Sequence, residues 1–127
     1  MIQDINDSMI ISEVRSCFEH YNAAIENGDT DALNGFFWHS PSTIRFGPKE
    51  SLFGYDEISN FRSKTWKLAA SGRKVERLVI STFGKDAATT NAVIRATDGT
   101  ASRQSQTWVR FSEGWRIVAA NVSAAPL

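Results

Sequence analysis

At 127 residues, with 42% apolar and 22% charged residues, the chain has the size and balance of one globular domain spanning 1–127. Such a domain buries roughly two-thirds of its unfolded surface, so a core forms without staples. The 14 basic and 14 acidic residues cancel, which removes the cationic surplus that nucleic acid or an anionic membrane would need as a partner. A single cysteine, Cys17, excludes an intramolecular disulfide. The start Met1-Ile2-Gln3-Asp4 lacks a basic n-region, and no stretch nears the roughly 20 apolar residues of a membrane span, so a cytoplasmic protein is expected.

Asn6-Asp7-Ser8 is a helix-start cluster, whose short side-chain oxygens can accept the free N–H groups of a first turn. Behind it Ile10, Val14, Cys17, Phe18, Tyr21, Ala24 and Ile25 recur at three- and four-residue steps, one apolar stripe ending at Asn27-Gly28. Cys17 falls on that stripe and reads as a small core residue rather than a nucleophile. Asp29-Thr30-Asp31 opens a short second helix, predicted over 32–37, and Ser40-Pro41 stops it. Thr43-Ile44-Arg45-Phe46 and Ser51-Leu52-Phe53 flank Gly47-Pro48-Lys49 as a hairpin, and Gly54-Tyr55-Asp56 leads into a third helix bearing Ile58, Phe61, Arg62 and Trp66, with Gly72 at its end.

From there the apolar period becomes two. Strands are predicted over 75–83, 87–96, 102–111 and 115–123, joined by short Gly-containing turns, hence an antiparallel meander. Helices toward the front and strands toward the back argue an α+β fold, a curved sheet around the long first helix with a cavity at the open end. Trp108 and Trp115 read as packing residues or as an apolar sheet face too large to stay wet, which predicts a two-fold homodimer through that face.

Several chemistries have no signature here. There is no Gly-rich phosphate loop, no Cys/His set at zinc spacing and no Gly-x-Ser-x-Gly elbow, and His20 and His39 alone make no metal site. No metal or other cofactor is expected. Three features do carry information. Arg45, in a short apolar strand, needs an anion: either Glu50 across the hairpin, or a bound carboxylate held by the guanidinium fork. Tyr21 either caps a backbone group in the core or points its hydroxyl into a cavity under the sheet. Arg103-Gln104-Ser105-Gln106-Thr107 puts polar residues on both faces of a strand, so one face lines a polar pocket or meets another subunit.

These same segments carry a resemblance. Phe37-Trp38-His39-Ser40-Pro41-Ser42-Thr43-Ile44-Arg45-Phe46-Gly47, Leu52-Phe53-Gly54-Tyr55-Asp56-Glu57-Ile58 with Phe61-Arg62, and Arg103-Gln104-Ser105-Gln106-Thr107-Trp108 through Trp115-Arg116-Ile117-Val118-Ala119-Ala120 resemble the AtzH-like family, which includes oxalurate catabolism proteins of the HpxZ type. The resemblance implies a cone-shaped, nuclear-transport-factor-2-like (ketosteroid isomerase-like) fold, usually homodimeric. It also implies a setting of ureide, oxalurate or cyanuric-acid nitrogen catabolism, with an amidase as candidate partner. It further implies hydrolysis of a small anionic ureide, 1,3-dicarboxyurea to allophanate, with Tyr21 and Arg45 as catalytic residues. Trp38, Glu50, Tyr55, Arg62, Arg103, Gln104, Gln106 and Asn121, in or beside the same motifs, complete the candidate substrate-binding set. Ser63-Lys64-Thr65-Trp66 stands where a second Arg would follow Arg62, and Asn121 stands where a His is common; both departures point to a less anionic ligand. The other readings are a non-catalytic binding or accessory subunit for an amidase, and an isomerase or dehydratase, for which Glu50 is the one well-placed base.

Overall fold

The computed structural model describes residues 1–65 and 72–126, the side chains of 63–65 excepted. Trp66 and the expected run of the third helix toward Gly72 fall outside the described residues. Helix α1 spans Ser8–Asn27. The Asp7 carboxylate accepts the N–H groups of Met9 and Ile10 at 2.9 and 3.3 Å, and Gly28, at φ 64, closes the far end by donating to the last carbonyls. The stripe is buried as expected at Ile10, Val14, Phe18, Tyr21, Ala24 and Ile25. Cys17 is the exception: it sits half-buried at the rim of the core.

Helix α2 spans Thr30–Gly35, displaced toward the N-terminus from the expected 32–37. The Asp29 carboxylate accepts Ala32 N–H at 3.1 Å and so starts the helix at once. At the other end Phe37, fully buried, leaves the helix and bridges to Ile117. Strands β1 (Ile44–Phe46) and β2 (Ser51–Phe53) form the hairpin. Helix α3 spans Tyr55–Thr65. Strands β3 (Lys74–Phe83), β4 (Ala87–Arg95), β5 (Ala101–Phe111) and β6 (Gly114–Ala124) make the antiparallel meander.

Together the strands form one sheet in the order β2-β1-β6-β5-β4-β3. The early hairpin joins through a parallel pairing of β1 with β6, Arg45 lying beside Ala120. Two register shifts, at Val75/Arg77 between β3 and β4 and at Thr107/Trp108 between β5 and β6, increase the local twist that bends the sheet around α1. The second shift leaves Val118 unpaired, so Trp115 and Ile117 before it and Ala120 after it all face inward.

Trp108 is fully buried and Trp115 is 5% exposed, so neither lies on an open sheet face. Of the two readings, packing holds and the open apolar face is corrected by the register. Trp108 alternates with Gln104 and Gln106 on the inner face, beneath α1, where the Tyr21 ring packs against it. Trp108 Nε1 donates to Thr90 Oγ1, which donates to Gln106 Oε1, both at 3.0 Å. The polar strand is thereby resolved: Gln104 and Gln106 are interior, while Arg103 and Ser105 are exposed on the outer face. Of the large apolar side chains that stay open among the described residues, Met1, Ile2, Ile5 and Met9 belong to the N-terminal segment and the start of α1, while Phe53, Val79 and Phe83, exposed by 56, 47 and 38%, lie on that outer face.

Candidate functional site

At the open end of the sheet a cavity of about 150 Å³ is enclosed by α1 (Tyr21, Ile25), α2 (Leu33), β1 (Arg45), α3 (Arg62), Arg73, and the ends of β4, β5 and β6 (Ile94, Ser102, Gln104, Val122). Each element delivers its side chain for a local reason. Tyr21 lies on the buried stripe of α1, its ring fixed by Phe36, Phe37 and Trp108 at centroid distances of 5.7, 6.3 and 6.4 Å. Arg45 takes the inward position of β1, because Ile44 and Phe46 alternate to the other face. Arg62 lies one turn after Ile58, the fully buried anchor of α3, and therefore shares its inward side.

Arg45 makes the ion pair with Glu50 and also reaches the cavity. Its Nη1 donates to Glu50 Oε1 at 2.8 Å, with both side chains largely buried, and the same side chain lines the cavity. Gly47 makes the pairing close, since a Cβ there would collide with the Glu50 carboxylate. Arg62 is 4% exposed, donates to Asn34 Oδ1 at 2.9 Å, and lies with its guanidinium 4.5 Å from the centre of the Phe37 ring. Among the described residues no carboxylate pairs with it. Burial lowers its tendency to hold a proton; Tyr21 opposes this, the Arg45 charge adds to it, and Tyr55 opposes it more weakly.

Arg73 is the member that sequence reasoning missed. Standing just ahead of β3 beside Gly72, it reads in the sequence as a solvated turn residue, and no motif marks it. In the fold it lines the cavity, and its Nε–H is buried without an acceptor among the described residues. Burial lowers its proton affinity too, against the influence of Tyr21 and then Glu26. Gln104 Oε1 is likewise buried in the cavity wall without a donor among the described residues. Buried polar groups are almost always paired, so two unpaired ones in one small cavity mark a place for a polar ligand.

Of the sequence-predicted set, the cavity thus gathers Tyr21, Arg45, Arg62 and Gln104, with Glu50 held behind Arg45. The others lie elsewhere. Trp38 stacks on Phe111 at 5.4 Å, outside the cavity lining. Tyr55 packs on His39 at 3.9 Å, beside a wider, open groove of about 550 Å³ that has no arginine in its wall. Gln106 lies outside the cavity lining, its Oε1 accepting from Thr90 and its Nε2 buried without an acceptor among the described residues. Arg103 and Asn121 are exposed, with Asn121 paired beside Ser105 and Phe46 on the outer sheet face. The Asn121 departure therefore does not touch the cavity, and the expectation of a less anionic ligand loses that support. Among the described residues no cluster of His, Cys, Asp and Glu could hold a metal, and no helix is long and apolar enough to cross a membrane.

A model of the AtzH-like family matches residues 3–126. The chain belongs to the AtzH-like family. Among solved structures it is similar to a DUF3225-family protein of unknown function from Pectobacterium atrosepticum, at 36% identity and a TM-score of 0.93 over 99% of this chain and 100% of that one. It is also similar to a cystatin-like fold protein from Burkholderia xenovorans, at 35% identity and 0.92 over 98% of each. A nuclear-transport-factor-2-like superfamily protein from Salmonella enterica follows at 25% identity and 0.76 over 94% of each. No curated protein matches this chain. The AtzH-like chain accordingly has the nuclear-transport-factor-2-like, ketosteroid isomerase-like fold, and its cavity lies where the long helix, the hairpin and the meander meet.

Proposed function

We propose that this protein binds a small dianionic carboxylated urea of the 1,3-dicarboxyurea type in the cavity of Tyr21, Arg45, Arg62 and Arg73, and hydrolyses it to allophanate. The observation that carries the reading is charge. Three guanidinium groups line the cavity and no carboxylate does; Glu50 behind Arg45 and Glu26 near Arg73 offset them only in part, which leaves a positive excess suited to an anion. Arginine suits the task because its planar fork matches a carboxylate in two hydrogen bonds.

In the reaction, water adds to a terminal carboxyl carbon and the bond from that carbon to the urea nitrogen breaks. The electron pair stays on nitrogen, which takes a proton from the Tyr21 hydroxyl, and the proton from water returns to Tyr21. Allophanate and bicarbonate leave, so atoms and charge balance. Arg45 holds the carboxylate under attack and stabilises the negative charge that grows on its oxygens. Glu50 orients Arg45 and, being engaged by it at 2.8 Å, is poorly placed to act as the base of an isomerase. The family resemblance supports a place in ureide or oxalurate nitrogen catabolism. The exposed apolar side chains of the outer sheet face, Phe53 on β2 at one edge and Val79 and Phe83 on β3 at the other, support a homodimer through that face.

Bicarbonate release from carboxylated ureas tests the proposal. Arg45→Lys keeps charge and loses the fork, and turnover should fall about 100-fold. Tyr21→Phe keeps the ring packing, should fold normally, and should lose at least about 100-fold in turnover. Full activity in both variants refutes the assignment. Dianion binding without turnover in the parent protein leaves the binding or accessory role in its place.

A further inference from the structure

Two groups in the cavity without partners among the described residues differ in kind. Arg73 offers a buried donor, its Nε–H, and Gln104 offers a buried acceptor, its Oε1. Both line the same cavity, yet they are not bonded to one another. Had they been within reach they would have paired, because an unmet donor and an unmet acceptor each carry a desolvation penalty. The fold holds them apart instead. Gln104 is placed by strand alternation, inward on β5 opposite Ala92 and Val122 and 7% exposed. Arg73 comes from the turn before β3, on the far side of β4.

We infer that Arg73 and Gln104 form a donor–acceptor subsite that selects a carboxylate accompanied by an N–H, as in ureido acids, over a carboxylate of the same shape without one. This rests on the dianion reading above and adds the identity of the neighbouring atoms. A purely anionic ligand satisfies Arg73 but turns carboxylate or carbonyl lone pairs toward Gln104 Oε1, which stays unmet. A ureido N–H donates to Gln104 while the carboxylate beside it accepts from Arg73, and both groups are then satisfied. Gln106, two residues on along the same face, cannot take this role, because its oxygen already accepts from Thr90 at 3.0 Å. Sites built to hydrogen-bond a ligand reject analogues lacking that group far more strongly than apolar pockets reject a missing methylene.

The test uses two dianions of the same heavy-atom count that differ only in N–H against CH2: N,N′-carbonyldiglycine and 4-oxopimelate. Binding to the full chain is measured by titration calorimetry, with thermal melts to confirm that each variant folds. The parent protein is expected to prefer carbonyldiglycine by about 10–100-fold. Gln104→Leu, close in shape, should reduce that preference to about threefold or less and leave 4-oxopimelate binding unharmed. Arg73→Gln should weaken both dianions by about tenfold or more. Equal binding of the two by the parent, or a preference that survives Gln104→Leu, overturns the subsite while the dianion reading stands. A preference for 4-oxopimelate would mean that Gln104 presents its NH2 to the ligand, and overturns it as well. Binding of neither dianion by folded parent protein removes the subsite and the dianion reading together.

Discussion

Arg62 gives the sharpest separation of stability from function. It is 4% exposed and has no carboxylate partner among the described residues. Taking an ion out of water costs several kcal/mol even after relaxation. Against that, the charge-assisted bond to Asn34 returns about 2 kcal/mol and the Phe37 face about 2 kcal/mol. The ligand-free protein is then left about 1 kcal/mol worse off for carrying the charge, a deficit that a bound anion removes. Arg62→Met keeps an unbranched stem against Phe37, and Asn34 is only half-buried, so its amide can rehydrate. The variant is expected to gain about 1 kcal/mol without ligand, roughly 3–5 °C in Tm at this chain length. Carbonyldiglycine at 100 times its Kd should raise the parent by about 3 kcal/mol, near 10 °C, and the variant by far less. Thermal unfolding of both proteins with and without ligand reads all four values. A variant less stable than its parent by more than about 1 kcal/mol, with the ligand shift intact, would show that Arg62 is a structural strut and refute the reasoning.

Gly47→Ala drives a methyl group into the Glu50 carboxylate, so it should turn Glu50 away from Arg45 and lower turnover while Tm falls by only a few degrees; unchanged activity would show that the ion pair does not orient Arg45. Cys17 is half-buried, and burial, with Glu13 next, pushes its thiol above the ordinary range against the pull of Arg116. Iodoacetamide at pH 8 should therefore label the folded protein roughly tenfold more slowly than the unfolded chain. Because the folded thiol holds its proton more tightly, its stabilising share should fade as pH rises past the unfolded value, and equal labelling of folded and unfolded protein would contradict the placement. Val79→Asp puts a charge on the β3 side of the outer sheet face; light scattering should show a dimer for the parent at micromolar concentration and a monomer for the variant, and a monomeric parent rejects the interface.

Local chemistry wrote much of this molecule into the chain. The helix-start carboxylate Asp7, the left-handed stop at Gly28 and the three- and four-residue apolar steps between them determine α1, because each is settled within a turn or two. The switch to a two-residue period determines β3 to β6 in the same way. An arginine between Ile44 and Phe46 announced a need for an anion, with Glu50 across the hairpin as one candidate. What the sequence could not carry is whatever depends on register and on contacts between distant segments. The parallel seam of β1 with β6 has no turn to betray it, and it alone aims Arg45 inward beside Ala120. The extra residue at Val118 keeps Trp115 and Ala120 on one face, so a strict alternation cannot be read through it. The sequence left Trp108 open between packing and an exposed sheet face, and the register makes it the floor under Tyr21. Arg103 and Gln104 are neighbours in the chain, yet a period of two sends one to solvent and the other into the cavity. Arg73 is plain in sequence and joins the site only because the sheet curls around α1 and brings the start of β3 over to Tyr21.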